Sequence, residues 1–249
     1  MFDEKYELIR LIGNGTFTSV FQAKHKLKGT TVAIKINNDP NEISTKLMTH
    51  ETKMYIYLKK NQMKDIVAFK TFGKYKTYHY IIMDYLSFDL KTYIQNNSFE
   101  FQKKKNIFEN CMYQLKKLHQ IDVVHRDIKP DNFMINENGT IYMIDFGLSC
   151  VQNKNYVKNI IGTPLFCSYR LHKTPYIYDY YDDIISLFYV FFYLYSNGDL
   201  PWKNVYNKNK NDTTISILKR KTKYEQYYLK YKNRSLNYCI NQYNNYIKS

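Results

Sequence analysis

Two short segments near the middle of the chain carry polar side chains in an order suited to moving a phosphoryl group. They are His125-Arg126-Asp127-Ile128-Lys129-Pro130-Asp131-Asn132 and Ile144-Asp145-Phe146-Gly147. Phosphoryl transfer depends mainly on positioning and on neutralisation of charge. Asp127 is predicted to accept the proton of the attacking hydroxyl, and Lys129 to neutralise the transferring group. Asn132 and Asp145 offer the oxygen ligands that Mg²⁺ prefers.

A glycine-containing segment near the N-terminus is suited to a close approach to phosphate oxygens. It consists of Gly13, Asn14, Gly15, Thr16, Phe17, Thr18, Ser19 and Val20. Glycine lacks a Cβ atom, so backbone N–H groups in such a turn can reach a phosphate. Taken alone, a Gly-x-Gly between two strands is more often an ordinary hairpin. It is not a dinucleotide fingerprint, because no helix follows it.

Lys35 lies on the next predicted strand, in Val32-Ala33-Ile34-Lys35, which resembles a kinase segment whose lysine contacts the α- and β-phosphates of ATP. A lone lysine on a strand is usually only exposed to solvent, but its place after the glycine-containing segment favours the phosphate role. Such a lysine needs a carboxylate to hold it, and the predicted helix that follows offers two. Glu51 is favoured because it lies in the middle of the helix, where the chain can pack against the sheet. Glu42 remains the alternative.

Hydrophobic periodicity divides the chain into a strand-rich first part and a more helical second part. Strands are predicted at 8–12, 19–23, 31–35, 66–72 and 78–83. Helices are predicted at 42–60, 89–96, 101–120 and 181–195. In the first helix the apolar residues at roughly helical spacing are Ile43, Leu47, Met54 and Leu58. The polar segment 203–212 favours a loop.

The 249-residue chain carries 37 basic and 22 acidic side chains, a formal net charge of +15. Such a charge is compatible with nucleic acid, an anionic surface or acidic substrates. A/T-rich codon usage, visible in Asn207-Lys208-Asn209-Lys210-Asn211, is the alternative explanation. Nothing resembles a helix-turn-helix, a zinc finger or an RNA-binding signature, so only a weak electrostatic association with nucleic acid is expected.

The cysteines and the apolar segments indicate where the chain resides. Cys111, Cys150, Cys167 and Cys239 lack zinc spacing, which favours a reduced intracellular compartment. The first residues do not resemble a secretory signal, and Ile184–Tyr195 is too short to cross a bilayer. We expect a cytoplasmic or nuclear protein, in a host cell if the chain is viral, without a membrane segment. The oligomeric state is left open, with a monomer as the default.

These motifs resemble the protein-kinase superfamily over nearly the whole chain, and within it the casein kinase 1 group, including the vaccinia-related kinases. The narrower resemblance rests on Asp131-Asn132-Phe133, on Gly162-Thr163-Pro164-Leu165-Phe166-Cys167-Ser168-Tyr169-Arg170 with His172 in place of Ala-Pro-Glu, and on Asp182-Asp183-Ile184-Ile185-Ser186-Leu187 followed by Leu200-Pro201-Trp202. Two of the departures from the pattern lie at positions that bear on substrates. Thr18 replaces the usual third glycine, and Tyr180-Tyr181 replace a basic pair, so a preference for acidic substrates is not implied.

The resemblance implies a serine/threonine protein kinase that uses ATP and Mg²⁺ to phosphorylate protein substrates. It implies an α+β, bilobal protein-kinase fold in a single domain, 1–249. A small antiparallel-sheet N-lobe with one main helix (1–83) would be followed by a hinge (84–88) and a larger, mostly helical C-lobe (89–249). The segment Ser235–Cys239, with little chain after it, suggests that the C-lobe is shortened at its C-terminus.

The resemblance also implies the residues that contact ATP, which would bind between the lobes. The base would lie against Ile12, Val20, Ala33, Met134 and Ile144, with Met83, Asp84 and Leu86 at the hinge. Lys129 and Thr163 mark serine/threonine specificity, and Asp183 would anchor the loop that contains Asp127. The catalytic set is then Lys35, Glu51, Asp127, Lys129 and Thr163. Two alternatives stand beside an active kinase: a pseudokinase or scaffold, and a protein associated chiefly with nucleic acid.

Overall fold

Segments rich in β-branched and aromatic residues pair as an antiparallel five-stranded sheet near the N-terminus. The computed structural model describes residues 4–63, 69–97, 99–152, 156–157, 160–172, 176–203, 216–223, 241 and 245. The sheet has the order β1-β2-β3-β5-β4, and its strands are β1 (Tyr6–Asn14), β2 (Thr18–His25), β3 (Thr31–Asn37), β4 (Phe69–Tyr75) and β5 (Tyr78–Asp84).

The described residues divide into two compact units, one formed by 4–89 with 133–149 and the other by 90–132 with the residues from 150 onward. The first unit contains the five-stranded sheet, helix α1 (Glu42–Lys60), and a second sheet of β6 (Phe88–Asp89), β8 (Phe133–Ile135) and β9 (Ile141–Met143). The second unit contains α2 (Leu90–Asn96), α3 (Phe101–Gln120), β7 (Val123–Val124), β10 (Cys150–Val151), β11 (Tyr156–Val157), β12 (Tyr176–Ile177), α4 (Tyr180–Tyr195) and a helix at 216–223. An antiparallel sheet followed by a mostly helical part confirms the predicted α+β class.

Most predicted elements are present, and the differences lie at their ends. Helices α1 and α3 have the predicted bounds. The fourth strand continues to Tyr75, past its predicted end. Asp89 was predicted to be helical, but it is the last residue of β6, because it pairs with Met134 of β8. The predicted loop residues 204–212 and the segment Ser235–Cys239 lie outside the described residues.

Helix α1 packs against the sheet, and two of its four predicted apolar residues, Met54 and Leu58, are buried there. Ile43 has 61% of its surface exposed, whereas the buried side includes Met48, Glu51 and Tyr55. Apolar spacing failed only in the first half of the helix, where Ile43 is exposed, and it could not indicate that the buried side contains a glutamate. Asn41 caps the helix, and its Oδ1 accepts a hydrogen bond from the backbone N–H of Ser44 at 2.9 Å.

Helix α4 is buried along most of its length, as its continuous apolar sequence predicts. A capping box defines its first turn. Asp179 accepts a hydrogen bond from the backbone N–H of Tyr181 at 2.9 Å, and Asp182 accepts one from the backbone N–H of Asp179 at 3.0 Å. Among the described residues, no helix is both long enough and apolar enough to cross a bilayer.

Candidate active site

Lys35 on β3 lies between two carboxylates of the first unit. Its Nζ is 2.7 Å from Oε2 of Glu51 and 2.9 Å from Oδ1 of Asp145. Lys35 and Glu51 are 8% and 2% exposed, so this ion pair is buried. Of the two glutamates that the sequence left open, Glu51 is therefore the partner of Lys35. Glu42 instead pairs with Lys46 in the exposed first turn of α1.

The carboxylates determine the charge of Lys35. Burial disfavours the charged amine, but Asp145 and Glu51 outweigh that effect and raise the pKa of Lys35 above its ordinary value. Asp145 has a φ of 64°, a region that non-glycine residues seldom occupy. Directly after it, Phe146 packs edge-to-face on Tyr55 of α1, with ring centroids 5.3 Å apart. This packing and the bond to Lys35 hold the Asp145 carboxylate in place.

The glycine-containing segment forms the hairpin between β1 and β2. Its register pairs Gly13 with Val20 and Asn14 with Ser19. At the turn, the backbone N–H of Gly15 donates to the carbonyl oxygen of Thr18 at 2.8 Å. Thr18 begins β2, and a β-branched residue suits an extended strand. The hairpin therefore forms without the third glycine.

Asn38, directly after β3, holds the tip of this hairpin, a contact that the sequence did not suggest. Its backbone N–H donates to the carbonyl oxygen of Phe17 at 2.9 Å. Its side-chain Nδ2 donates to the carbonyl oxygen of Gly15 at 2.8 Å, and its Oδ1 accepts from the hydroxyl of Ser19. Asparagine after a strand usually signals only a turn, so no local pattern distinguishes this role.

The residues predicted to surround adenine are distributed over several elements of the first unit. Ala33 and Met83 are buried and lie opposite each other in the β3–β5 register. Ile12 is 39% exposed and lies at a register shift of β1. Asp84 ends β5 and pairs with Lys70. The remaining members are Val20 on β2, the half-buried Leu86 after β5, Met134 on β8 and Ile144 after β9.

Asp127 of the second unit is bound at both carboxylate oxygens. Lys129 Nζ donates to Oδ2 at 2.7 Å. The backbone N–H and the hydroxyl of Thr163 donate to Oδ1 at 2.8 and 2.7 Å. Lys129 also donates to the Thr163 hydroxyl at 3.1 Å, so these three side chains form a closed network. Asn132 Nδ2 donates to the Asp127 carbonyl oxygen at 2.8 Å, a bond that does not use its Oδ1.

Asp183 on α4 anchors the loop that contains Asp127, as the resemblance implied. It accepts hydrogen bonds from the backbone N–H groups of His125 and Arg126 at 2.7 and 2.9 Å. The Tyr178 hydroxyl donates a hydrogen bond to Oδ1 of Asp183 at 2.7 Å, and His119 Nε2 lies 3.1 Å from Oδ2 of Asp183. Burial alone would raise the pKa of Asp183, but His119, His125 and Tyr178 hold it below its ordinary value. The sequence did not indicate His119 or Tyr178, since their contact with Asp183 depends on the fold.

Gly162 precedes Thr163 and lies against the same loop. Its φ is +84°, and a Cβ atom at this position would lie 2.4 Å from the carbonyl oxygen of Arg126. A side chain would therefore collide with backbone rather than with a flexible neighbour. Only glycine allows Thr163 to reach Asp127 in this geometry.

The sequence of the chain is similar to those of known proteins. A family model described as the protein kinase domain matches residues 6–243. The chain belongs to the protein kinase family. The kinase is 28% identical over 172 residues to CBL-interacting serine/threonine-protein kinase 19 of Arabidopsis thaliana, covering 69% of this chain and 35% of the relative.

Two further relatives are probable kinases. A probable serine/threonine-protein kinase of Dictyostelium discoideum is 31% identical over 166 residues, covering 65% of this chain and 14% of the relative. A probable casein kinase I homolog of Encephalitozoon cuniculi is 27% identical over 207 residues, covering 79% and 64%. This kinase therefore aligns with between 14% and 64% of the length of these curated relatives.

Proposed function

We propose that the chain is a serine/threonine protein kinase that transfers the γ-phosphate of ATP to protein hydroxyl groups. The observation that carries the proposal is the network around Asp127, with Lys129 on one carboxylate oxygen and Thr163 on the other. A carboxylate oriented in this way is suited to accept the proton of a substrate hydroxyl. The matched relatives include serine/threonine-protein kinases, which supports the same activity.

In this network Asp127 would accept the substrate proton, whereas Lys129 would supply the positive charge. As the substrate oxygen attacks the γ-phosphorus, its proton passes to Asp127, and the bond from phosphorus to the leaving oxygen breaks. Lys129 contributes positive charge beside the reacting hydroxyl. Thr163 donates to Asp127 and accepts from Lys129, so its single hydroxyl orients both.

ATP and Mg²⁺ fit the donor and acceptor groups of the chain. The raised pKa of Lys35 keeps its amine positively charged, as contact with the α- and β-phosphates requires. Asn132 Oδ1 and the Asp145 carboxylate are hard oxygen ligands of the type that Mg²⁺ prefers. When bound, Mg²⁺ would neutralise phosphate charge. Two further assignments are part of the proposal. The hairpin 13–20 would contact the phosphates. Adenine would contact Ile12, Val20, Ala33, Met83, Asp84, Leu86, Met134 and Ile144.

Within the family, we assign the chain to the casein kinase 1 and vaccinia-related kinase group. The three sequence features given above support this, as does the coverage of 79% of the chain by the Encephalitozoon cuniculi relative. We further propose a single kinase domain over 1–249, with an N-lobe at 1–83, a hinge at 84–88 and a C-lobe at 89–249. The intracellular location, the monomeric state and the weak association with nucleic acid stay predictions.

The proposal is tested by incubating the purified chain with γ-labelled ATP, Mg²⁺ and two proteins, casein and histone. We expect label on serine or threonine. Asp127→Asn should retain ATP binding and transfer phosphate about 10²–10⁴-fold more slowly, the usual effect of removing a positioned general base.

Asp131→Asn is the matched control. Asp131 lies in the same loop but pairs with Lys91 at the surface, so this variant should keep the wild-type rate. Near-wild-type turnover by Asp127→Asn would refute the assignment of the base. A wild-type chain that binds Mg-ATP but labels no protein would favour the scaffold alternative.

A further inference from the structure

Lys221, on the helix at 216–223, has 0% of its surface exposed. Its Nζ donates to the carbonyl oxygens of Pro164 and Cys167, each at 2.7 Å. The rings of Tyr189 and Trp202 lie 5.1 and 5.9 Å from the same nitrogen. Within the described part of the chain, no carboxylate lies at ion-pairing distance from Lys221. A buried lysine is costly, so these carbonyl groups and rings must stabilise it.

The turn that Lys221 contacts, residues 163–167, is held by two buried donors. Lys221 binds two of its carbonyl groups, and the indole N–H of Trp202 donates to a third, that of Leu165, at 2.8 Å. Inside the turn, the N–H groups of Phe166 and Cys167 donate to the carbonyl oxygen of Thr163 at 2.9 and 2.8 Å. The backbone of the turn is therefore fixed both internally and from the side of Lys221.

The same turn begins with Thr163, which donates to Asp127 through both its backbone N–H and its hydroxyl. We propose that Lys221 is a positioning residue that fixes this turn and, through Thr163, the orientation of the Asp127 carboxylate. The proposal rests on the function proposed above. It assigns a role in the reaction to a lysine that touches neither Asp127 nor the reacting atoms.

Three variants separate this role from a purely structural one. Lys221→Met preserves most of the side-chain volume but removes the donors. Lys221→Arg preserves donors and charge. Lys219→Met, an exposed lysine on the same helix, is the matched control. Trp202 is the only tryptophan of the chain, so its fluorescence reports on this turn without a label.

The first measurement uses nucleotide-free protein and does not depend on catalysis. Lys221→Met should increase hydrogen exchange at the Thr163 N–H about tenfold or more and make Trp202 more accessible to acrylamide. Lys221→Arg should stay near the wild type, and Lys219→Met should match it. Unchanged exchange and quenching in Lys221→Met would overturn the proposal, whether or not the chain is a kinase.

The second measurement is steady-state phosphate transfer. Lys221→Met should lower kcat about 10- to 100-fold, the range expected when a reacting group is displaced by up to about 1 Å. Its KM for ATP should stay within about twofold, and Lys221→Arg should recover most of the rate. A loosened turn with unchanged kcat would also overturn the proposal. Failure of the wild type to transfer phosphate would refute the proposed function instead.

Lys221→Met could fail to fold. In that case Lys221→Gln, which retains an amide donor for one carbonyl, takes its place in both measurements. An intermediate effect on exchange and on kcat would support the proposal, and wild-type values for both would overturn it.

Discussion

The ion pair of Lys35 and Glu51 is the most buried charge interaction of the first unit that we describe, with side chains 10% and 3% exposed. Removing Lys35 leaves the buried Glu51 without its cation, whereas removing Glu51 leaves Lys35 with Asp145 as its remaining partner. Replacing one partner of such a pair usually costs about 3–5 kcal/mol, whereas replacing both by apolar residues is often close to neutral.

We therefore expect Lys35→Met to lower the free energy of unfolding by about 3–5 kcal/mol. The double variant Lys35→Met/Glu51→Met should recover a large part of that loss, because no buried carboxylate remains unpaired at position 51. Urea denaturation of the wild type, both single variants and the double variant measures the coupling. Losses that simply add would show that the pair does not contribute in this way.

Lys221 provides a pH-dependent prediction. Burial lowers its pKa from 10.5 to about 8, and the group that faces it, the Cys167 thiol, has a pKa that burial raises. Between pH 8 and pH 10.5, the two pKa values of Lys221, the folded chain binds fewer protons at Lys221 than the unfolded chain does. Stability must then rise with pH over this interval, and it is lost as the pH falls through about 8.

The expected quantity is the difference in unfolding free energy between the wild type and Lys221→Met. It should increase by about 3 kcal/mol between pH 8 and 10.5, at about 1.4 kcal/mol per pKa unit. Urea denaturation of both proteins at several pH values measures it, and titrating groups that do not interact with Lys221 cancel in the difference. A constant difference across this interval would contradict the shifted pKa.

At the scale of elements, the turn that carries Thr163 can reach Asp127 only if the chain passes close to the backbone of Arg126. Gly162 and Gly139 both have positive φ, +84° and +79°, but their surroundings differ. A Cβ atom at Gly162 would lie 2.4 Å from a backbone oxygen, whereas one at Gly139 would have no atom within 4 Å.

This contrast separates backbone strain from collision. Gly139→Ala should cost only the left-handed conformation, about 1–2 kcal/mol, with an unchanged rate of phosphate transfer. Gly162→Ala should cost more and lower kcat about 100-fold, because Thr163 must move away from Asp127. Thermal unfolding and steady-state kinetics measure both effects. Equal behaviour of the two variants would show that the close approach at Gly162 is unimportant.

Asp179, just before α4, interacts both with the helix and with a basic side chain. Asp179 caps the helix and also accepts two bonds from Arg170, at 3.0 and 3.1 Å. The guanidinium lies over the rings of Tyr176 and Tyr181, with 4.8 and 5.2 Å to the centroids. Tyr180 and Tyr181 stand where the pattern of the proposed casein kinase 1 group has a basic pair, and the guanidinium of Arg170 is paired with Asp179.

At the scale of the whole molecule, the net charge of +15 predicts an association with polyanions that has no sequence preference. Binding to a short duplex DNA, followed by fluorescence anisotropy, should weaken steeply between about 50 and 200 mM salt. Two duplexes of unrelated sequence should bind equally. Binding that resists salt or favours one duplex would indicate a specific nucleic-acid site and revive that alternative function.

The sequence alone determined the α+β class, the bounds of α1 and α3, and the motifs of a protein kinase. These depend on hydrophobic period and side-chain chemistry within a few neighbouring residues. It also placed Glu51 ahead of Glu42, but the choice between them required the packing of α1 on the sheet. The same packing placed the polar Glu51, rather than the apolar Ile43, on the buried face.

Only the tertiary structure revealed the contacts of Asn38, His119 and Lys221. Each acts on atoms far along the chain, so no local pattern encodes the contact. Lys221 is the clearest case. Among 37 basic residues its sequence signature is that of an exposed lysine, yet its amine is buried against the carbonyl groups of Pro164 and Cys167. Local sequence specifies which groups are available, whereas burial and long-range contacts decide which of them act together.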